Sequence, residues 1–549
     1  MRSKLLPLAL LLLLPLQLVP AMAQKSPTSD ELAHHLASGF SHLVKRDFRM
    51  NPAMPPLPRY LTAVPMVLLG AKGPWDHPSW EAGNSPEFAR EFFYQANRNA
   101  DQLVFWARVP IVILSMLFGA LVWAWAGAMA GFAAALTALL LYVFCPDILA
   151  HSQLATSDLS VAFFFTLAFA VFWKYLNGGR KHWLALTGLA AGGAFLSKFT
   201  AVLLPPILIF IALAAGKGRL VRPVRVAAAA AVCVVTIWAG YGFEVKPLLQ
   251  NTPDPLKKEA FIRKAGGERM LSIARNTPLP LTTFASSLGS MVFTRVKGTN
   301  AYLMGEWSEG GRGWWYYYFV AFGVKNTLPF LLLIGLAFAA WKVLPLSRVD
   351  RAVLIVPVVF FFAVTMPDRA QAGIRYFLPI YPLLMVLAGS VVSRVWAAGP
   401  PAVKVPTAAL KSLTAALLVW HGVEAVRVFP DHLTYFNQAA GGPAGGYRWL
   451  RDSNIDWGQD LKGLGRFVRE QGYEEVVLMY YGSADPAYYG IPAVEAVPAD
   501  YERPRATVYA LAVHHIDTMK WFERYKPIRV IGNSIWVYDF RNVIGDIRS

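Results

Sequence analysis

Cysteine is nearly absent. Two residues in 549, Cys145 and Cys233, are too few for a disulfide framework or a cysteine-built metal cluster. Charge is scarce as well: only 16% of residues are Asp, Glu, Lys or Arg, and the acids are outnumbered 34 to 52. With 55% hydrophobic residues and a mean hydropathy of +0.39, that excludes an ordinary soluble protein. In a soluble protein the net charge of +18 would point to nucleic acid. Here the basic residues gather between apolar runs, in loops such as NGGRKH and KGRLVRPVR. This is the positive-inside pattern, so the charge is read as membrane topology and anionic lipid contact, with no nucleic-acid partner.

What the chain does have is long apolar stretches. Residues 1–23 carry Arg2 and Lys4, a Leu-rich run and then Ala21-Met22-Ala23. They fit a retained first transmembrane helix or a signal peptide. Residues 24–103 form a first outer loop. Residues 104–424 read as a transmembrane core. Val104 to Phe144 is long enough for two spans with a tight turn near Gly127, and Leu159 to Tyr175 is a third. Trp183 to Ala215 lies between two basic loops, which requires two short helices turning near Ser197-Lys198-Phe199. Val226 to Phe243 spans once more, and a long loop to Trp314 follows, with a surface helix near Pro255 to Ala274. Trp315 to Trp341 reads as one returning span, then Ala352 to Met366, Tyr376 to Ser393 and Val405 to Val423. The total is about 11 spans.

After Glu424 the composition changes. Residues 425–549 gain charge and lose long apolar runs. Leu461 to Gln471 has helical spacing. Strands are expected over 475–482, 506–513 and 528–540, with a helix near Asp517 to Tyr525. The predicted fold class is therefore a polytopic α-helical membrane protein with a small extracytoplasmic α/β C-terminal domain.

Candidate chemistry starts in the first outer loop, which holds Asp30, Glu31, His34, His35 and His42. Leu32, Leu36, Phe40, Leu43 and Val44 make one apolar stripe, whereas Asp30, His34 and Ser38 fall on another at four-residue spacing. The pattern predicts an amphipathic helix on the bilayer surface with an acid on its polar face. Thr28-Ser29-Asp30-Glu31 also has the T-x-x-E form of a capping box, so Glu31 has a plain structural reading. Asp158, Lys198, Arg375 and Tyr376 lie near the same membrane face in this topology. Each has a bland alternative: a helix cap for Asp158, a snorkelling side chain for Lys198, a boundary charge for Arg375. Asp368 and Arg369 read as a solvated turn. A divalent metal on Asp30 and His34 is possible but not indicated, because DELAHH is not H-E-x-x-H.

Five stretches together carry a resemblance: DELAHHLASGFSHLVKRDFRMNPAMPPL, AHSQLATSD, GLAAGGAFLSKFTAVLL, GIRYFLPIYP and YFNQAAGGPAGGYRWLRDSNIDWGQDL. In order and span pattern the chain resembles bacterial membrane glycosyltransferases that use a polyprenyl-phosphate sugar. These are the protein-mannosyltransferase and aminoarabinose-transferase group of the C-type glycosyltransferase superfamily. The resemblance implies Asp30 as catalytic base, Asp158 as the acid after the third span, and Lys198 and Arg375 as ligands of the lipid phosphate. Glu31, His34 and Tyr376 are further possible site residues. In the tail motif, Asp456 and Trp457 are candidates to bind an acceptor, or else the loop simply caps the helix after it. Met54 departs from the pattern, since relatives commonly carry His there.

The expected activity is sugar transfer, with inversion, from a polyprenyl-phosphate donor to an extracytoplasmic glycan, lipid or protein hydroxyl. It would take place at the bacterial inner membrane and requires no cofactor. The alternative is a transporter or flippase of lipid-linked sugars. That reading predicts pseudo-repeated halves and ionisable pairs within the spans, and the sequence has neither.

Overall fold

The computed structural model describes residues 2–250, 255–397, 407–505 and 507–541. Val405, the expected start of the last span, and Ala506, in the second expected strand, lie outside them. Six helices are long and apolar enough to cross a membrane, or seven if one sharply bent pair counts as a span.

The first helix, α1 (Arg2–Gln24), packs along the long helix α2 (Ala100–Val143). Leu14, Leu18, Ala21 and Met22 are buried there, and the Ala21-Met22-Ala23 ending is helical, with Ala23 exposed. At 44 residues α2 would be about 66 Å long if straight, twice the hydrocarbon thickness. It is in fact a hairpin. Ser115 Oγ and Tyr142 OH, 27 residues apart in sequence, lie 3.1 Å apart. The reversal falls at Gly131, whose φ of 84° suits glycine alone. It does not fall at the expected Gly127, where the lack of a side chain lets Ala135 approach: a Cβ at Gly127 would sit 3.4 Å from the Ala135 Cβ.

Helices α3 (Asp158–Gly178), α4 (Lys181–Ser197), α5 (Leu204–Ala214) and α6 (Pro223–Gly240) follow. The break between α4 and α5 is at Lys198, where the chain is extended before a 3-10 turn over Phe199–Leu203. The expected loop helix is present as α7 (Pro255–Asn276), interrupted at Gly266 and Gly267, and leads to α8 (Thr282–Lys297). The returning span expected over 315–341 is not one straight helix. It is α9 (Tyr317–Lys325) and α10 (Leu328–Ala339), bent by 114°. Thr327 caps α10 and Pro329 starts it, while Lys325 donates to the carbonyls of Leu433 and Asn454 at 2.8 and 2.7 Å. The end of α9 is thus tied to the C-terminal region and cannot continue into α10. Then come α11 (Arg348–Thr365), a 3-10 turn over Ile374–Ile380, α12 (Tyr381–Ala397) and α13 (Thr407–Arg427).

The C-terminal region contains α14 (Leu461–Gln471) and five short strands: β1 (Val476–Met479), β2 (Ala493–Val494), β3 (Val508–Ala512), β4 (Arg529–Ile531) and β5 (Ile535–Asp539). Their order is β2-β1-β3-β5-β4, with β1 parallel to both its neighbours and β5 antiparallel to both of its own. Leu461, Leu464 and Val468 form one stripe of α14 against Val476, Val508 and Val537 of the sheet. Two sequence readings change here. The last strand is a hairpin turning at Gly532-Asn533, both with positive φ. The helix expected near Asp517 to Tyr525 is two 3-10 turns, Ile516–Thr518 and Phe522–Arg524.

The first outer loop is not an amphipathic helix on an open surface. Glu31–Ala37 is wound as a π-helix and continues into a helix over Ser38–Lys45. Leu32, Leu36 and Phe40 are buried against Phe88, Phe92 and Leu103. The wider winding also breaks the four-residue stripe: Ser38 is buried, with its hydroxyl on the Ala33 carbonyl five residues back at 2.7 Å.

Glu31 lies inside this packing. Its carboxylate takes Arg108 Nε at 2.8 Å and Nη2 at 2.6 Å, the Thr28 N–H at 2.8 Å and the Ala155 N–H at 2.8 Å. Arg108 also donates to the carbonyls of Met22, Lys25 and Ser26. The capping role for Glu31 is met by Thr28, and the same carboxylate closes a buried ion pair. Burial pushes its pKa up and Arg108 pulls it down. The net position is below the ordinary 4.5, so the stabilisation is complete above that pH and is lost as pH falls through the folded value. Glu31→Gln leaves Arg108 buried and uncompensated. It should lower stability by about 3–5 kcal/mol and remove this acid dependence, read by unfolding in a pH series from neutral down to well below 4.5.

Candidate functional site

The side chains the sequence singles out meet where α3, the α4–α5 break and the turn before α12 face the first outer loop. Asp158 opens α3 and is almost fully buried, with Lys198 Nζ on its Oδ1 at 2.6 Å. The extended backbone at Lys198 turns that side chain back toward α3. Arg375, on the 3-10 turn, sets Nη1 4.0 Å from Asp158 Oδ2 and 3.4 Å from Asp30 Oδ2. Asp30 is the most open of the four, its side chain 26% exposed. It stands at the N-terminus of the π-helix but makes no capping bond. Its neighbour Glu31 does the structural work, so the Asp30 carboxylate stays available.

Aromatic rings complete the cationic wall. Lys198 Nζ lies 4.4 Å from the Tyr376 ring centroid and the Arg375 guanidinium 4.3 Å from that of Trp457. Arg295, on α8, is a cation that motif reading missed. Its guanidinium is 4.7 Å from the other contact surface of the site, the Tyr376 ring, and it pairs with Asp368. The Asp368 turn is therefore not merely solvated. No sequence signal separates Arg295 from the other basic residues of its long loop.

Two other candidates are placed differently. Glu31 is fully occupied by Arg108 and does not face the site. Asp456 is buried; its Oδ1 accepts the Gly458 N–H at 2.9 Å and its Oδ2 has no partner. Burial holds its carboxyl well above the usual range. Trp457 is buried too, its ring backing the Arg375 guanidinium. His34 is beside the site, its Nδ1 against the Asn51 amide. Burial lowers its pKa while Asp30 opposes the shift. Among the described residues no group of three or more His, Cys, Asp or Glu side chains converges as a metal site.

The tail motif DSNIDWGQDL acts as a clamp. Ser29 N–H donates to the Trp457 carbonyl at 2.7 Å and Ser26 N–H to that of Gln459 at 3.0 Å. Lys25 bridges Asp431 and Asp460. These contacts fix the chain leading into Asp30. From the same motif, Ser453 Oγ donates to the Ala372 carbonyl at 3.0 Å and Asn454 Oδ1 accepts the Ile374 N–H at 2.9 Å, which fixes the turn carrying Arg375.

Residues 100–240, which include Asp158 and Lys198, match the family model described as dolichyl-phosphate-mannose-protein mannosyltransferase. The fold is like that of ArnT from Cupriavidus metallidurans bound to undecaprenyl phosphate: TM-score 0.50, 13% identity, 97% of each chain covered. The apo state of the same protein gives a TM-score of 0.49 at 13% identity and the same coverage. The apo oligosaccharyltransferase of Archaeoglobus fulgidus gives 0.45 at 10% identity, over 95% of this chain and 71% of that one. No curated sequence relative matches the chain. The likeness shows a fold shared with that ArnT structure, and the family match over residues 100–240 is in line with the resemblance read from the motifs.

The unequal burial of the two acids predicts unequal costs. Asp158→Asn strands Lys198 in a buried setting and should destabilise by about 3 kcal/mol. Asp30→Asn, at a partly exposed 3.4 Å contact, should cost under about 1 kcal/mol. Thermal unfolding of the two purified variants checks the ordering.

Proposed function

We propose that this chain is an integral membrane glycosyltransferase that moves a sugar from a polyprenyl-phosphate carrier to an acceptor hydroxyl. The observation that carries the reading is one partly exposed carboxylate, Asp30, beside two converging cations, Arg375 and Lys198, at the end of a bundle of apolar helices. The undecaprenyl phosphate bound to the similar ArnT structure supports a lipid-phosphate donor.

In this mechanism Asp30 takes the proton from the acceptor hydroxyl. The acceptor oxygen bonds to the anomeric carbon as the bond from that carbon to the phosphate oxygen breaks. One displacement inverts the centre. The departing lipid phosphate keeps the bonding electron pair, and Lys198 and Arg375 hold it, with Arg295 one ring away across Tyr376. Asp158 is a positioning residue: buried between both cations, it fixes where their charges sit. The distribution of basic loops supports an extracytoplasmic position for this end of the bundle, in a bacterial inner membrane. The acceptor is then an extracytoplasmic glycan, lipid or protein, reached from the aqueous side while the donor enters from the bilayer.

The test is turnover of a panel of undecaprenyl-phosphate sugars by purified protein. Wild type should release or transfer sugar, and a folded Asp30→Asn variant should lose at least about 100-fold in rate. Equal rates would remove Asp30 from the chemistry. Transbilayer movement of the same lipids without sugar release would favour a flippase instead.

A further inference from the structure

At the other end of the bundle lies a groove that the transfer reaction does not use. It runs between α5 and α11, with a volume of about 520 Å³. Its walls are apolar, from Leu346, Ile355 and Val356, and its mouth carries Trp341, Arg348 and Arg351. α11 alone separates this mouth from the Asp368 end by about 27 Å, so the groove is remote from Asp30.

The two arginines have no carboxylate partner among the described residues. Arg348 spends Nε on the Ala214 carbonyl at 2.8 Å and rests on the turn at Gly216, where a Cβ would come within 3.3 Å of the guanidinium. Arg351 lies over the Trp341 ring at 5.2 Å, and its Nε is buried with no acceptor. The acid closest in sequence, Asp350, is already committed: Oδ1 accepts Trp173 Nε1 at 2.6 Å and Oδ2 accepts the Ser347 N–H at 2.7 Å. Lys217, Arg219 and Lys342, all exposed, stand in the turns at the same helix ends. Below the arginines the apolar surface continues over exposed Leu213 and Val359, as it must where acyl chains touch the bundle.

We infer that this groove binds an anionic phospholipid of the surrounding leaflet, its phosphate on Arg348 and Arg351, its glycerol region beside Trp341 and one acyl chain along Ile355 and Val356. The charge at the mouth selects an anion, and the apolar walls select one that carries hydrocarbon. A free phosphate would use only the first of these. The site is separate from the donor site in both place and ligand, so its test does not depend on sugar transfer.

The measurement is native mass spectrometry of the full-length protein titrated with cardiolipin, with phosphatidylcholine as control, alongside thermal shifts with each lipid and with inorganic phosphate. Cardiolipin should bind and raise the unfolding temperature, whereas phosphatidylcholine and phosphate should not. Arg348→Gln with Arg351→Gln should weaken cardiolipin binding by about 30-fold. Ile355→Trp, which fills the groove and keeps both arginines, should weaken it too, and it serves alone if the double variant does not elute as a folded monodisperse species. Undiminished cardiolipin binding in the folded variants overturns the proposal, as does equal binding of phosphatidylcholine. A thermal shift from inorganic phosphate equal to that from cardiolipin overturns the lipid assignment.

Discussion

The buried pair of Glu31 and Arg108 is the contact on which the outer half of the molecule rests. An ion pair withdrawn from water is stable only when its remaining donors and acceptors are also met. Here they are met by three other parts of the chain: the end of α1 with the Lys25 and Ser26 carbonyls after it, the Thr28 N–H and the Ala155 N–H. The Ala155 contact reaches to within three residues of Asp158. The structural acid thus ties together the two stretches that bring Asp30 and Asp158 to the site. Two adjacent acids in one sequence have opposite fates because one is enclosed and the other is left at a rim.

The clamp motif works in the same way from the far end of the sequence. Its backbone holds the strand before Asp30, and its Ser453 and Asn454 hold the turn before Arg375. A motif whose acids suggested sugar binding also ties the stretch before Asp30 to the turn carrying Arg375. Asp456 and Trp457 are buried because this job is done from underneath.

Much of the bundle was legible because a membrane imposes simple rules. Apolar length marks spans, and basic loops mark sides. The break at Lys198 followed from counting crossings between two basic loops. Other features depend on contacts that have no sequence pattern. The bend between α9 and α10 comes from Lys325 reaching carbonyls more than 100 residues away. Gly127 and Gly131 look alike as letters, and only packing shows that one allows close approach and the other a reversal. The π-winding after Asp30 shifts the register that a four-residue stripe assumes. Arg295 joins the site only through the Tyr376 ring, which Lys198 also contacts. Motif order singled out Asp30, Asp158, Lys198 and Arg375, but their mutual distances had no sequence pattern.

The separation of Asp30 and Arg375 by 345 residues also has a meaning in time. At synthesis rates of about 5–20 residues per second, Asp30 precedes Arg375 from the ribosome by about 17 to 70 s. The clamp residues come later still. During that interval the Glu31–Arg108 pair, only 77 residues apart, can already form and hold the first loop in its final shape. The nascent protein therefore passes through a stage in which its outer loop is built and Lys198 has emerged while Arg375, which pairs with Asp30, has not. A chain interrupted at that stage lacks both the Arg375 contact to Asp30 and the tail whose hydrogen bonds hold the two stretches in place.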